Sequence, residues 1–350
     1  MRQDNVKVII WGLGAMGRGM AEMLLEKKGI EIVGVAGRNE KLGKSMFDYL
    51  EKENPYGKDV LIGTPEEVIT PGAADVVLLC TDSYTKEAFP RIVFCLEKGI
   101  NVISTAEEMA YPKAQQPELA KTLDAIAREH GVSVLGTGIN PGLIMDLLVV
   151  CLTGACERVD AVEAKRVNNL SPFGPVVMHE QGVGITPEEF ERRTKDGSLA
   201  GHVGFAESIH MIADALGWTL SAPVQTGMTP IFSKVERKAP YATVAPGAMA
   251  GVDMRGTGEV DGRPAISMIH PQQVEPQAEG VQTGDYIHIQ GVPDIHMAIT
   301  PEVPGGIGTI AMCVNMIPHI INARPGLRTM LDLPVPRAMM GDVREWIEEV

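Results

Sequence analysis

The chain has 350 residues, a formal net charge of −14 and a sequence pI near 5.1, a balance that argues against nucleic acid or an anionic membrane as partner, since both need clustered Lys and Arg. Its length exceeds one ordinary hydrophobic core and predicts two domains. No apolar run reaches the ~18 residues that cross a bilayer, and the N-terminus enters a strand without a signal-peptide pattern, which predicts a cytoplasmic protein.

The opening segment VKVIIWGLGAMGRGMAEMLL, Val6 to Leu25, places an apolar strand, a Gly-x-Gly-x-x-Gly turn and a helix in direct succession. Gly12 permits the tight turn, Gly14 lets backbone approach a pyrophosphate, and Gly17 lets the helix pack close to the strand. Phosphates would sit with Ala15 and Met16 at the helix N-terminus, where free N–H groups and the macrodipole favour negative charge. Strands follow at Ile30 to Gly37, Val60 to Ile62, Asp75 to Cys80, Ile100 to Thr105 and Val132 to Gly136. Amphipathic stretches at Tyr84 to Lys98 and Glu118 to His130 lie between them, the second ending on Gly131 as a helix C-terminus does. This alternation predicts an α/β, doubly wound parallel sheet of the Rossmann type over residues 1–145.

Ligands in such sheets bind outside the carboxyl ends of the strands. The loops there read GLGAMG, GRNEK, TDSY, TAEEMAYP and GTGINPG, and they put Thr81, Thr105 and Asn140 beside the glycine turn as cofactor-binding candidates. After the second strand an NAD-preferring site usually carries Asp or Glu for the ribose 2′-hydroxyl. Here Gly37 and Arg38 stand there, followed by Asn39 and Lys41. A guanidinium in place of a carboxylate suits a 2′-phosphate, so NADP(H), or use of both NADP(H) and NAD(H), is expected.

Beyond residue 150 the pattern changes to α+β. Glu157 to Val167 reads as a strand, Thr186 to Asp196 and Gly204 to Leu216 as helices, and Trp218 to His270 as extended segments with a hairpin signal at Asp261-Gly262. Strands at Tyr286 to Gln290 and Ile295 to Ile299 precede an apolar helix from about Gly308, interrupted near Pro318. Residues 146–325 are therefore expected to form a substrate-binding and dimerisation domain. Residues 326–350 read as a proline-punctuated segment with a short terminal helix. The five cysteines show no C-x-x-C and mostly sit in apolar runs, and no His, Glu or Cys spacing suggests a metal.

The glycine turn, TAEEMAYP, GTGINPG and the closing NMIPHIINARPGLRTMLDLPVPR together resemble the 2,4-diaminopentanoate dehydrogenases and the related native amine dehydrogenases, over nearly the whole chain. The resemblance implies a dihydrodipicolinate-reductase-like architecture, a homodimer, and NAD(P)-dependent oxidative deamination of 2,4-diaminopentanoate at C4 to 2-amino-4-oxopentanoate and ammonia. An amine dehydrogenase acting on simple ketones is the enzymatic alternative. A non-catalytic NADP-sensing protein is the alternative of another class.

Residue types can be matched to that chemistry. Hydride leaves a carbon bearing an amine only when the amine is neutral, and a carboxylate near the nicotinamide can hold the proton. Glu107 and Glu108 lie in the loop after the fifth strand. Glu108 is preferred as base, because a lysine of the related homoserine dehydrogenases falls at its position when Thr105 is matched to the threonine of their T-A-N-K run. The other glutamate is expected to cap a helix or face solvent. For the substrate's polar groups, Arg166 and Asn168 share one face of a strand, and His202 and His270 are further candidates.

Overall fold

In the computed structural model, which describes residues 2–199 and 201–348, strand β1 (Val6–Trp11) enters the glycine turn and helix α1 (Ala15–Leu25). Val6, Val8, Ile9 and Ile10 are at most 1% exposed, as a strand covered on both faces requires. Strands β2 (Ile30–Ala36), β3 (Ile62–Gly63), β4 (Val76–Leu79), β5 (Asn101–Ser104) and β6 (Ser133–Gly136) follow, with helices α2 (Pro65–Val68), α3 (Thr85–Leu96) and α4 (Pro117–Glu129) between them. All pair in parallel. The strand and helix pattern expected for this half of the chain is thus present, including the stop of α4 before Gly131, which takes a φ of +69°.

Leu143–Gly305 forms a compact unit of its own. It contains α5 (Leu147–Thr153), β7 (Arg158–Asn169), α6 (Pro175–Glu180), α7 (Pro187–Lys195), α8 (Phe205–Ala215), β8 (Gln225–Phe232), β9 (Arg237–Ala239), β10 (Ala242–Val244), β11 (Met249–Val260), β12 (Arg263–Gln273), β13 (Gly284–Val292) and β14 (Ile295–Ile299). Six of these strands make a mixed sheet in the order β14-β13-β7-β12-β11-β8, in which β7 and β12 are parallel. The β11–β12 hairpin turns at Asp261 and Gly262, both at positive φ, as the Asp-Gly signal implied. Helix α8 lies close on β11 because Gly256 and Gly258 lack side chains there. A Cβ on Gly258 would stand 2.6 Å from Ile209 Cγ2.

One expectation is corrected. Residues 306–325 do not belong with the second domain, and 326–350 is not a separate tail: Gly306–Val350 joins Met1–Gly142 in the first unit. The chain returns through α9 (Gly305–Asn315) and α10 (Ile317–Ile321) to β15 (Gly326–Arg328), which pairs in parallel with β6 as the seventh strand, giving the order β15-β6-β5-β4-β1-β2-β3. The physical reason is local satisfaction of polar groups: Thr309 Oγ1 accepts from Ile139 N at 3.2 Å, and Arg324 O accepts from Ser133 Oγ at 3.0 Å. The closing helix is a single turn, Val343–Trp346.

Asp342 fastens that closing turn. Its carboxylate accepts from Arg344 Nη2 at 2.7 Å and faces Lys28 Nζ at 3.3 Å, while Val343 N donates to Lys28 O. The hydrogen bonds from Arg344, and then Lys28, hold its pKa well below the ordinary aspartate range. A carboxylate with a depressed folded pKa stabilises above its unfolded pKa of about 3.9 and loses that contribution as pH falls through the folded value. Asp342→Asn is therefore expected to lower the Tm at neutral pH, with the gap to the parent protein narrowing below about pH 4 in thermal melts across pH; a gap independent of pH would remove the charge from the account.

Candidate active site

Each glycine of the first turn has a separate steric reason. Gly12 has a φ of +101°, and a Cβ on it would stand 2.8 Å from Thr81 Cγ2. A Cβ on Gly17 would lie 2.0 Å from Gly12 O, so α1 meets the turn at backbone distance. A Cβ on Gly14 would meet nothing within 4 Å, and no acidic side chain occupies the first turn of α1. An open backbone cradle at a helix N-terminus fits a pyrophosphate. Ala15 is exposed and Met16 half-buried at that N-terminus. Arg38 is exposed at the end of β2, and Asn39 adopts a left-handed φ of 58°. Lys41 Nζ donates to Leu13 O at 2.7 Å, which ties this loop to the glycine turn. Thr105 N donates to Leu79 O at 3.0 Å, and Asn140 lies half-buried in the loop after β6.

Glu107 and Glu108 fall in a helical turn, Glu107–Ala110, directly after β5. Glu108 is 6% exposed. Its Oε2 accepts from Thr85 N at 2.8 Å and its own N–H donates to Ser83 O at 3.1 Å. Glu108 thus caps the N-terminus of α3, where a carboxylate is favoured by the helix dipole. Glu107 is half-buried. The turn rests on β6, because a Cβ on Gly136 would be 2.1 Å from the Met109 carbonyl carbon. Capping was expected of whichever glutamate is not the base; here the preferred base carries it, with one carboxylate oxygen.

In the second unit, Arg166, Asn168, His202 and His270 are brought together. Arg166 and Asn168 point to one face of β7, and His270 Nδ1 lies 2.8 Å from Arg166 O. The rings of His202 and His270 meet edge to face at 4.8 Å. Burial lowers the pKa of His202 to about 4 and that of His270 well below its ordinary value, with the Arg166 charge adding to both, so both rings are neutral at neutral pH. Arg166 itself is 2% exposed and largely committed: Nη1 donates to Asp285 Oδ1 at 2.5 Å and Nη2 to Val303 O at 2.6 Å. Burial pushes the Asp285 carboxyl up, against the pull of Arg166 and of the Val303 N–H it accepts at 2.9 Å. Arg166, expected to meet the substrate's polar groups, is thus chiefly an internal tie between β7, β13 and the 303 segment.

Two amides that sequence reasoning did not pair stand beside it. Asn168 and Gln272 are register partners on β7 and β12, each 4% exposed, and Asn168 Oδ1 and Gln272 Nε2 are buried without a hydrogen-bond partner. Buried polar atoms of that kind call for a ligand or water. The period-two spacing of His270 and Gln272 was the available signal.

The fold and the glycine cradle define an oxidoreductase of the dinucleotide-dependent dehydrogenase class. The model of the 2,4-diaminopentanoate dehydrogenase C-terminal domain matches residues 143–349. The 2,4-diaminopentanoate dehydrogenase of Acetoanaerobium sticklandii is 64% identical over 346 residues, 99% of this chain and 98% of the relative. The chain belongs to the 2,4-diaminopentanoate dehydrogenase family. The solved amine dehydrogenase of Mycobacterium smegmatis superposes with a TM-score of 0.84 at 26% identity, over 97% of this chain and 99% of that one. At the level of fold alone, GenD2 from gentamicin A biosynthesis in complex with NAD gives a TM-score of 0.55 at 14% identity, over 94% of this chain and 90% of that one.

Removing one partner of a buried pair leaves an uncompensated charge, a loss of about 3–5 kcal/mol. Arg166→Met is expected to lower stability by that order in denaturant unfolding, since Asp285 is 0% exposed. A shift within a few tenths of a kcal/mol would show that the pair does not hold the segment.

Proposed function

We propose that this protein oxidatively deaminates 2,4-diaminopentanoate at C4, forming 2-amino-4-oxopentanoate and ammonia with NADP(H) or NAD(H), and that it works as a cytoplasmic homodimer. The observation that carries the reading is the buried Glu108 carboxylate at the carboxyl edge of the sheet, in a chain of this family. The five free cysteines suit a reducing compartment.

A nicotinamide bound at the glycine cradle supplies the hydride acceptor. Gly12, Gly14, Ala15, Met16 and Gly17 would hold its pyrophosphate by backbone, and Arg38 and Asn39 would be the residues nearest a 2′-phosphate. Thr81, Thr105 and Asn140 line the same edge. Glu108, with Oε2 held by the Thr85 N–H, keeps Oε1 for proton transfer. It takes the proton of the C4 ammonium, so that the amine lone pair can stabilise the iminium as the C–H bond breaks. Having passed that proton to solvent, it takes a second one from the water that adds to the iminium and gives it to the carbinolamine nitrogen; as the C–N bond breaks to release ammonia, the carbinolamine hydroxyl proton returns to Glu108 and the ketone forms. Taken by itself, the second unit offers the unpartnered Asn168 Oδ1 and Gln272 Nε2 to a substrate's α-amino and carboxylate groups, with the neutral His202 and His270 rings beside them and Arg166 anchoring the strand.

The assay is reduction of NADP or NAD with 2,4-diaminopentanoate, ornithine, a simple amine or homoserine. Turnover is expected with 2,4-diaminopentanoate, and turnover confined to simple amines would replace the reading. Glu108→Gln keeps an acceptor for Thr85 N and is expected to bind cofactor normally while losing about a hundredfold or more in kcat; a rate near that of the parent protein refutes its role as base. Gln272→Leu removes a hydrogen bond to a charged group, worth about 1.5–3 kcal/mol, and is expected to raise KM for 2,4-diaminopentanoate about tenfold or more. For an amine without a carboxylate, KM should stay the same.

A further inference from the structure

The β13–β14 hairpin carries a group of side chains that the deamination does not use. His288 and His296 are directly opposed across the hairpin, and the loop that joins the strands supplies Asp294. The two imidazole rings stack at 3.9 Å with 15° between their planes. Their Nε2 atoms turn to the two oxygens of one carboxylate: His288 Nε2 to Asp294 Oδ1 at 3.1 Å and His296 Nε2 to Asp294 Oδ2 at 2.9 Å. One ligand atom from each of the three lies within 4.8 Å of the others.

We propose that His288, Asp294 and His296 form a binding site for a divalent first-row transition ion of the zinc, nickel or copper type. Two imidazoles and a carboxylate are the donor set such ions select, whereas calcium and magnesium need oxygen ligands throughout. Bond lengths of about 2.0–2.2 Å to nitrogen and oxygen place the ligand atoms of a tetrahedral ion about 3.3–3.5 Å apart. The two carboxylate contacts are already within a few tenths of an ångström of that spacing. All three ligands belong to one hairpin whose register is fixed by five paired positions from Asp285↔Ile299 to Ile289↔Ile295, so little order has to be added on binding. The side chains are 29%, 53% and 69% exposed, in the order His288, Asp294 and His296, which leaves the remaining coordination position to water. Glu163, the register partner of His288 on β7, adds a further carboxylate beside the group.

The ion would pin an edge strand. β14 leads directly into the segment that carries Val303, whose carbonyl and N–H engage Arg166 and Asp285. An ion that binds only the folded hairpin raises stability by mass action.

The full-length protein, stripped with chelator, is titrated with ZnCl2 by calorimetry and with CoCl2 by visible absorption. One equivalent per chain is expected, with the cobalt bands of a low-coordinate nitrogen and oxygen site. His296→Ala and Asp294→Asn should each weaken binding about tenfold or more. His130→Ala, which removes an exposed histidine at the end of α4, should leave it unchanged. Zinc should also raise the Tm of the parent protein and not that of His296→Ala. No saturable binding, or an affinity untouched by both ligand substitutions, overturns the proposal. The deamination assay is independent of this outcome, since none of the three residues has a part in it.

Discussion

The approach of Gly17 to the carbonyl of Gly12 fixes how the opening strand, turn and helix of the first unit meet. A side chain at 17 would begin 2.0 Å from that oxygen, so helix α1 is held to the turn by backbone alone. Packing at this distance leaves no flexible atom to absorb a shift. The same device recurs at Gly136, which lets the Glu107–Ala110 turn sit against β6. Because β1, β4, β5 and β6 are consecutive neighbours in one parallel sheet, the two close approaches fix the phosphate cradle and the Glu108 carboxylate in one frame. The direction of Glu108 is then set by Thr85 N, a backbone donor that cannot rotate away.

The second unit solves a different problem, that of keeping a buried polar face without net charge. Arg166 is balanced by Asp285, and desolvation keeps both His202 and His270 neutral. A zwitterionic head group entering such a face needs donors and acceptors more than it needs a counter-charge. Amides serve both purposes, and a primary amide loses less on desolvation than an ion does. This is why Asn168 and Gln272, and not the guanidinium, carry the proposed recognition of the α-amino acid portion. Arg166 contributes by anchoring the strand from which Asn168 projects.

Legibility in the sequence followed the range of the interaction. The glycine turn, the end of α4 at Gly131 and the Asp261-Gly262 hairpin are local backbone devices, and residue type alone announces them. The placement of Glu108 was readable because it follows a strand end by a few residues. The partner of Arg166 was not, since Asp285 is 119 positions away and comes into reach only when β13 pairs with β7. The return of the chain at Gly306 was hidden for a similar reason: Gly326–Arg328 is too short to show a strand period, and its place beside β6 depends on partners such as Ser133 and Val132. The histidine and aspartate group on the last hairpin required knowing which residues of two strands face each other, a fact no spacing rule supplies.

Cofactor choice turns on how the two cations of the GRNEK loop are used. Lys41 is committed, since Nζ donates to Leu13 O and lies 4.9 Å from the centre of the Tyr49 ring. It therefore holds the loop against the glycine turn and adds little at the 2′ position. Arg38 is exposed at the end of β2, where a dinucleotide's adenosine ribose would lie, and the left-handed Asn39 turns the chain away behind it. One exposed guanidinium can grip a 2′-phosphate through two hydrogen bonds, but its attraction is weakened by water and salt. The absence of a carboxylate at Gly37 removes the repulsion that would reject the phosphate, without adding a second cation to require it. Such a loop is compatible with the proposed use of both NADP(H) and NAD(H).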